Sequence, residues 1–487
     1  VNKTRALTLI ALLFTTYLTV ALVHLGLDKF YYVLAGGRKF ATFPDLPSQL
    51  AIGGSYFFLS VLYLVWLGGF LKPSSHQTDW QFREILTRTA VFWVLAFISY
   101  PLGNDTYLYI HAGLMNLSGI NPYLVRAAAF TTELSPYVDW GQTSTYGPVS
   151  QLLFTISAAF VGASPILAIY VFKAFCLCLH LLNGFLIWRW LPVQERGKIA
   201  VAYLLHPLLL MEQVGSAHVD ILVSTSLILV ALGFAKQKFW LTFLGLWGGF
   251  LGKTLPIIWA PFVAVGLLRQ GRWKWLLKMI VVSVAIVSVL WSTVMPEMAA
   301  WKSILNPGVS GHYQASLHAL LRFGLDMVKI FAPEQLTQVQ RREILEWFSH
   351  ATLLGFFGFY SWRLWRSDSQ WEYTPKTLVE EMGWVTLVLM LFATGWLMPW
   401  YSSVMITAAA LVPQARLLGL TSLAFGLSSS MQYLFLANSS LKSFMSVGVP
   451  IMVLIGGAWM IRSQASEGQG VEWPTRINLS PKDAFKQ

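Results

Sequence analysis

Asp105 is the carboxylate around which chemistry can be built in this chain. An apolar run ends at Gly103, and Asn104-Asp105 opens a long polar, aromatic stretch. Tyr107, Tyr109 and His111 come first, then Gly119-Ile120-Asn121-Pro122-Tyr123, then Tyr146-Gly147-Pro148. Hydroxyls, an imidazole and ring faces can bind a sugar or orient an alcohol. A carboxylate beside them can take the alcohol's proton, and general-base catalysis of that kind contributes about 10²–10⁴ in rate. The plainer role for Asn104-Asp105 is a turn or a helix start. At a bilayer surface an Asp costs far less than at the centre, so its position alone demands no function. The flanking pattern is what favours chemistry.

Other residues could join such a site. Glu212, His218 and Asp220 surround Gly215-Ser216, with Asp220 in a first helical turn, where an acid is favoured. Capping explains them equally, as does binding of a sugar or phosphate. His-x-Asp is not a metal signature, and no second cluster completes one. Lys253, between Gly252 and Thr254, is either a snorkelling helix-end anchor or an outward-facing cation. His312, Tyr313, His318 and Arg322 lie in a hydrophilic stretch, and His318 and Arg322 can share a helical face. Trp400 and Tyr401 after Pro399 are interfacial aromatics or a stacking surface. Phosphate loops, nucleophile elbows and zinc spacings are missing from the sequence.

These residues must be positioned by membrane helices. Of 487 residues, 56% are hydrophobic and 11% charged, against about 25% charged in soluble domains. The formal charge of +12 does not indicate nucleic acid, because Lys and Arg fall in short loops between apolar runs, as in a cytoplasmic-loop bias. Cys176 and Cys178 point to different faces of one helix, which excludes a disulfide between them. Apolar runs fall at about 5–27, 50–71, 87–103, 165–190, 197–212, 218–235, 239–252, 254–269, 275–295, 347–366, 382–398, 400–412, 417–437 and 441–462. The expected fold is therefore all-α and polytopic, with about fourteen transmembrane helices and juxtamembrane helices in an external loop. Residues 1–463 form one membrane domain, with 104–164 and 296–346 as external loops and 464–487 as a cytoplasmic tail. Charge bias puts both termini inside and Asp105 outside, provided 149–161 is a juxtamembrane or re-entrant helix. On that scheme Glu212 to Asp220, Lys253, the 296–346 loop and Met398 to Tyr401 all reach the surface carrying Asp105.

Taken in order, Asn104-Asp105-x-Tyr107-x-Tyr109, Gly119-Ile120-Asn121-Pro122-Tyr123, Tyr146-Gly147-Pro148, Gly215-x-x-His218-x-Asp220 and Pro399-Trp400-Tyr401 resemble the GT-C superfamily of integral-membrane glycosyltransferases. The chain is most similar to bacterial polyprenyl-phosphate-mannose-dependent α-mannosyltransferases, over about 85–260 and 395–405. The resemblance implies an inverting transfer of mannose from a polyprenyl-phosphate donor to a lipid or glycan acceptor, at the outer face of a bacterial inner membrane. It implies Asp105 as catalytic base; the external cations Lys253 and Arg322, with His312, are then expected as ligands of the donor phosphate. Asn104, Tyr107, Tyr109, His111, Asn121, Tyr123, Tyr146, Glu212, His218, Asp220, Trp400 and Tyr401 would contact sugar or acceptor. No cofactor is expected, although a divalent metal stays open; Asn104 replaces the second acid that some members carry beside the base. The expected partners are donor, acceptor and membrane lipids, with no nucleic acid and a monomeric protein. The competing reading is a transporter or lipid flippase, lined by Lys173, His180 and Asn183 inside one apolar run.

Overall fold

The computed structural model describes residues 2–36, 45–71, 80–138, 140–305, 312–332, 336–366, 373–436 and 438–466. Most of the expected tail and parts of the 296–346 loop lie outside them. Among the described residues the chain is helical, with one isolated parallel bridge between Gln314 and Trp396.

Three helices open the fold: α1 (Asn2–Leu34), α2 (Leu46–Phe70) and α3 (Phe82–Ile98), packed around Leu18, Leu22, Ile52, Leu59 and Phe92. α4 (Asp105–Leu117) and α5 (Pro148–Ala158) then pair beside them. α5 starts on a proline at its first turn and has 11 residues, about half of what a crossing requires. α6 (Pro165–Trp190) also starts on a proline, and there Ser164 adds a side-chain cap by accepting from the Leu167 amide. Next come α7 (Val193–Leu204), a π-helical turn (Leu209–Gly215), α8 (Asp220–Ala235), α9 (Phe239–Phe250) and α10 (Ala260–Arg269). The remainder comprises α11 (Trp273–Ser292), α12 (Met298–Leu305), α13 (Leu317–Phe331), α14 (Gln338–Trp365), α15 (Pro375–Val388), α16 (Ser403–Leu411), α17 (Arg416–Ser430), α18 (Ser439–Ser443) and α19 (Val449–Ser466). The largest core gathers α7, α8, α10, α15 and α16, and α8 is buried on nearly every side, its small polar residues Ser224, Thr225 and Ser226 included.

Five helical stretches among the described residues are long and apolar enough to cross a membrane: Arg5–Leu34, Leu46–Phe70, Pro165–Trp190, Trp273–Ser292 and Ser439–Ser463. Leu209–Gly215 with Asp220–Ala235 forms a sixth only if a 111° bend is counted as one broken span. Several of the fourteen apolar runs therefore differ from simple spans. The run at 197–212 divides at Pro207 between α7 and the π-helical turn, and 382–398 ends in a π-helical turn (Leu389–Ala393) and an extended Met398. α14 starts well before residue 347 because Thr337 and Gln340 form a reciprocal capping box. Its first turns carry Arg341, Arg342, Glu343 and Glu346, which hide a helix from a hydropathy reading.

Candidate active site

Asp105 is the first residue of α4, where the exposed amides of a helix start favour a carboxylate. The Thr106 hydroxyl donates to the Ser216 carbonyl at 3.0 Å, tying this helix start to the end of the π-helical turn. Lys173 of α6 locks the same junction from behind. Its ammonium donates to the carbonyls of Ser99 (2.7 Å) and Gly215, the ends of α3 and of the π-helical turn. The next turn holds Ala217 at φ +57°, a left-handed conformation that is costly for a residue with a Cβ. It carries the chain from Ser216 into His218.

Tyr146-Gly147-Pro148 docks on the end of α9. The Val149 amide donates to the Leu251 carbonyl at 2.8 Å, and the Ser150 hydroxyl to Gly252 at 2.9 Å. A Cβ on Gly147 would lie 2.3 Å from the Leu251 carbonyl oxygen, so only glycine permits this approach. The docking carries Tyr146 toward Lys253, the residue after Gly252.

Around Asp105 the structure assembles a buried acid–imidazole–lysine cluster. His218 Nδ1 is 3.4 Å from Asp105 Oδ2, and Nε2 is 3.3 Å from Glu212 Oε2. Both are charge contacts rather than well-aligned hydrogen bonds. Glu212 is fully buried and accepts the Tyr56 hydroxyl at 3.1 Å. Trp400 stacks on the His218 ring, centroids 3.5 Å apart. Lys253 grips both oxygens of Asp220 at 2.7 and 2.8 Å and lies over the Tyr401 ring at 4.1 Å. Burial alone would pull the Lys253 ammonium down, but the Asp220 charge outweighs it and holds the lysine above its ordinary value. Burial likewise opposes a charged His218, yet its contacts with Asp105 and Glu212 raise it to about 9.

Asp105, 32% exposed, faces a cavity of about 1110 Å³. Tyr146, Trp140, Trp400 and Tyr401 line it on the Asp105 side; His312, Tyr313, Arg322, Arg341, Arg342 and His350 line it from α13, α14 and the strand-like segment before α13. That segment is fixed by the Gln314 amide donating to Gly395 and the Leu397 amide donating to Gln314, each at 3.0 Å. Asp326 is shared by Arg341 and Arg322, and Arg342 donates to Glu346 at 2.8 Å. With His218 charged, Asp105, Glu212 and Asp220 outnumber His218 and Lys253 by one charge. On the other wall three arginines outnumber Asp326 and Glu346 by one. The two walls therefore carry opposite sign.

The four segments expected beside Asp105 thus meet there, and Tyr146, Glu212, His218, Asp220, Lys253, Trp400 and Tyr401 lie in or directly behind one site. Arg322 and His312 stand across the cavity. The remaining residues lie elsewhere. The Asn104 side chain accepts from Lys29. The Tyr107 hydroxyl pairs with Tyr100 at 2.9 Å, and its ring stacks on Tyr137. Tyr109 is buried, stacked on Phe154, and meets the Tyr146 hydroxyl at 3.3 Å, so it supports Tyr146 rather than lining the cavity. His111 is buried against Thr132 and the Ala127 carbonyl. Burial pulls its pKa below the ordinary histidine value. Asn121 bonds the Tyr123 amide (2.9 Å) and the Val294 carbonyl (2.8 Å), and the Tyr123 ring is 1% exposed. Residues that sequence did not single out also stand at the cavity, among them Trp140, Arg341, Arg342 and His350. The adjacent arginines had a usable signal, since they fall in a loop expected outside, against the bias of basic residues toward the cytoplasm.

Long apolar helices and a partly exposed carboxylate at a charged cavity make this a helical membrane protein with a candidate catalytic acid. The stretch of residues 36–269 matches the family model described as alpha-(1->6)-mannopyranosyltransferase, N-terminal domain. It spans α2 to α10 and contains Asp105, Tyr146, Glu212, His218, Asp220 and Lys253; α13, α14 and Trp400 lie beyond it. No curated protein and no solved structure matches the chain.

Proposed function

We propose that the protein transfers mannose from a polyprenyl-phosphate-linked donor to a hydroxyl of a lipid or glycan acceptor, at the extracytoplasmic face of a bacterial inner membrane. The observation that carries the reading is Asp105, partly exposed, facing an arginine wall across one cavity inside a chain with a mannosyltransferase family domain. Asp105 takes the proton of the acceptor hydroxyl. The oxygen bonds to the anomeric carbon as the bond from that carbon to the phosphate oxygen breaks. The leaving lipid phosphate gains a negative charge, which Arg322, Arg341 and His312 meet as it develops. Lys253, bidentate on Asp220, orders the opposite wall instead of binding phosphate. Glu212 is buried and Asp220 is held by Lys253, so Asp105 is the one acid of this cluster open to the cavity. A single displacement with inversion follows.

Purified protein in nanodiscs, offered polyprenyl-phosphate mannose, polyprenyl-phosphate glucose and a nucleotide-linked mannose with membrane lipid extract, tests the reading. Consumption of the lipid-linked mannose with release of lipid phosphate is expected. Turnover of the nucleotide sugar alone would overturn it.

A further inference from the structure

His218 is sealed from the cavity. Its side chain is 2% exposed, Trp400 covers one ring face with the planes 13° apart, and both ring nitrogens face carboxylates. A continuous row runs inward from the cavity: Asp105, His218, Glu212, Tyr56, with the Tyr433 ring stacked on Tyr56 at 5.1 Å. Only the outermost member can touch a substrate. A neutral imidazole has one N–H and one lone pair, so it would turn a lone pair toward one of the two carboxylates; only the imidazolium offers a donor to each. The left-handed Ala217 and the Thr106–Ser216 hydrogen bond hold the turn that carries His218 against the base.

We propose that His218 is a positioning residue, an imidazolium clamped between Glu212 and Asp105 that keeps the Asp105 carboxylate aimed at the acceptor hydroxyl, and that loss of its proton shuts transfer off. This rests on Asp105 being the base. The proton balance is simple: the acceptor proton goes to Asp105 and leaves through the cavity, while His218 stays charged throughout. Although burial opposes its charge, the two carboxylates hold the His218 proton until about pH 9. The other groups facing this cluster are Asp220 and Lys253 at the start of α8 and the end of α9, Tyr146 before α5, and Tyr401 beside Trp400. Lys253 is held charged above its ordinary value by Asp220 despite burial. Burial, with Asp105 and Asp220 contributing, raises the Tyr146 and Tyr401 hydroxyls.

The test is the pH profile of transfer from a synthetic short-chain polyprenyl-phosphate mannose to membrane lipid extract. In the native protein kcat should fall about tenfold per pH unit above the His218 titration, the behaviour of one essential proton. His218→Gln should lower kcat at neutral pH with donor KM unchanged, and the alkaline fall should vanish. Glu212→Gln, which removes one of the two charges holding the proton, should move the alkaline fall to lower pH. A native-like alkaline limb in His218→Gln, or a raised KM at unchanged kcat, would overturn the proposal. Should His218→Gln not fold, an unshifted limb in Glu212→Gln overturns it equally. Asp105→Asn, measured beside them, separates the two claims. Full activity there sinks the base itself, whereas an inactive Asp105→Asn with a native-like His218→Gln profile sinks only the clamp.

Discussion

Replacing Lys253 by methionine removes the ammonium from a pair in which Lys253 is 20% and Asp220 8% exposed. At the observed 2.7 Å, with an effective dielectric constant of about 20, the attraction amounts to about 6 kcal/mol. Desolvation of two ions takes several kcal/mol each, so the pair as a whole contributes little net stability. Breaking it is another matter, because Asp220 is left charged, buried and uncompensated. That costs about 3–5 kcal/mol. Lys253→Met should therefore lower stability by that amount, read from denaturant titration in detergent. Asp220→Asn should lower it too, and the double variant should recover about 2–3 kcal/mol relative to the sum of the singles, as expected for partners in contact. A Lys253→Met protein as stable as the native one, with donor KM raised instead, would mean that Asp220 does not depend on Lys253 and would return Lys253 to the phosphate role expected from sequence.

Three further outcomes follow from the same geometry. Gly147→Ala places a methyl group 2.3 Å from the Leu251 carbonyl oxygen and should destabilise by about 1–3 kcal/mol, visible as a lower unfolding midpoint together with lost activity as Tyr146 shifts. Arg341→Ala removes a charge-assisted contact worth about 1.5–3 kcal/mol and should raise donor KM about 10–150-fold while leaving the unfolding midpoint nearly native. His218 links stability to pH: its pKa rises from 6.5 to about 9 on folding, so its contribution is complete below pH 6.5 and is lost as pH climbs through 9. The shift corresponds to about 3 kcal/mol; native protein should lose roughly that much between pH 6.5 and 9 in equilibrium unfolding, and His218→Gln should lose far less.

Much of the site was legible because its residues break the rules of an apolar chain. Asp105, Lys253 and the Glu212–Asp220 group are charges at the ends of apolar runs, and charge bias, with 149–161 read as a juxtamembrane or re-entrant helix, put them on one side with Met398–Tyr401. Their partners were not legible. That Lys253 grips Asp220 while His218 lies between Asp105 and Glu212 depends on a 111° bend between the π-helical turn and α8 and on a left-handed alanine, neither of which has a sequence signature. Tyr107, His111 and Tyr123 read as binding groups because tyrosine and histidine suit both a sugar site and a packed interior; burial distinguishes the two, and burial is a property of the assembled helices. Helix existence was readable from hydropathy, but continuity was not. Pro207 and the π-helical turns divide runs that look uniform, whereas the charged start of α14 conceals a helix that its capping box announces. Lys173 shows the same ambiguity: a lysine inside an apolar run suggests a transport path, yet here its ammonium closes the carbonyl ends of two helices behind the site.

Removal of the acceptor proton by Asp105 can be read from single-turnover mannose transfer from polyprenyl-phosphate mannose, comparing native protein with Asp105→Asn at matched folding and matched donor binding. The rate should be lower by about 10²–10⁴ in Asp105→Asn with donor affinity preserved. A rate within about twofold of native would contradict it, since no general base loses so little when its carboxylate becomes an amide.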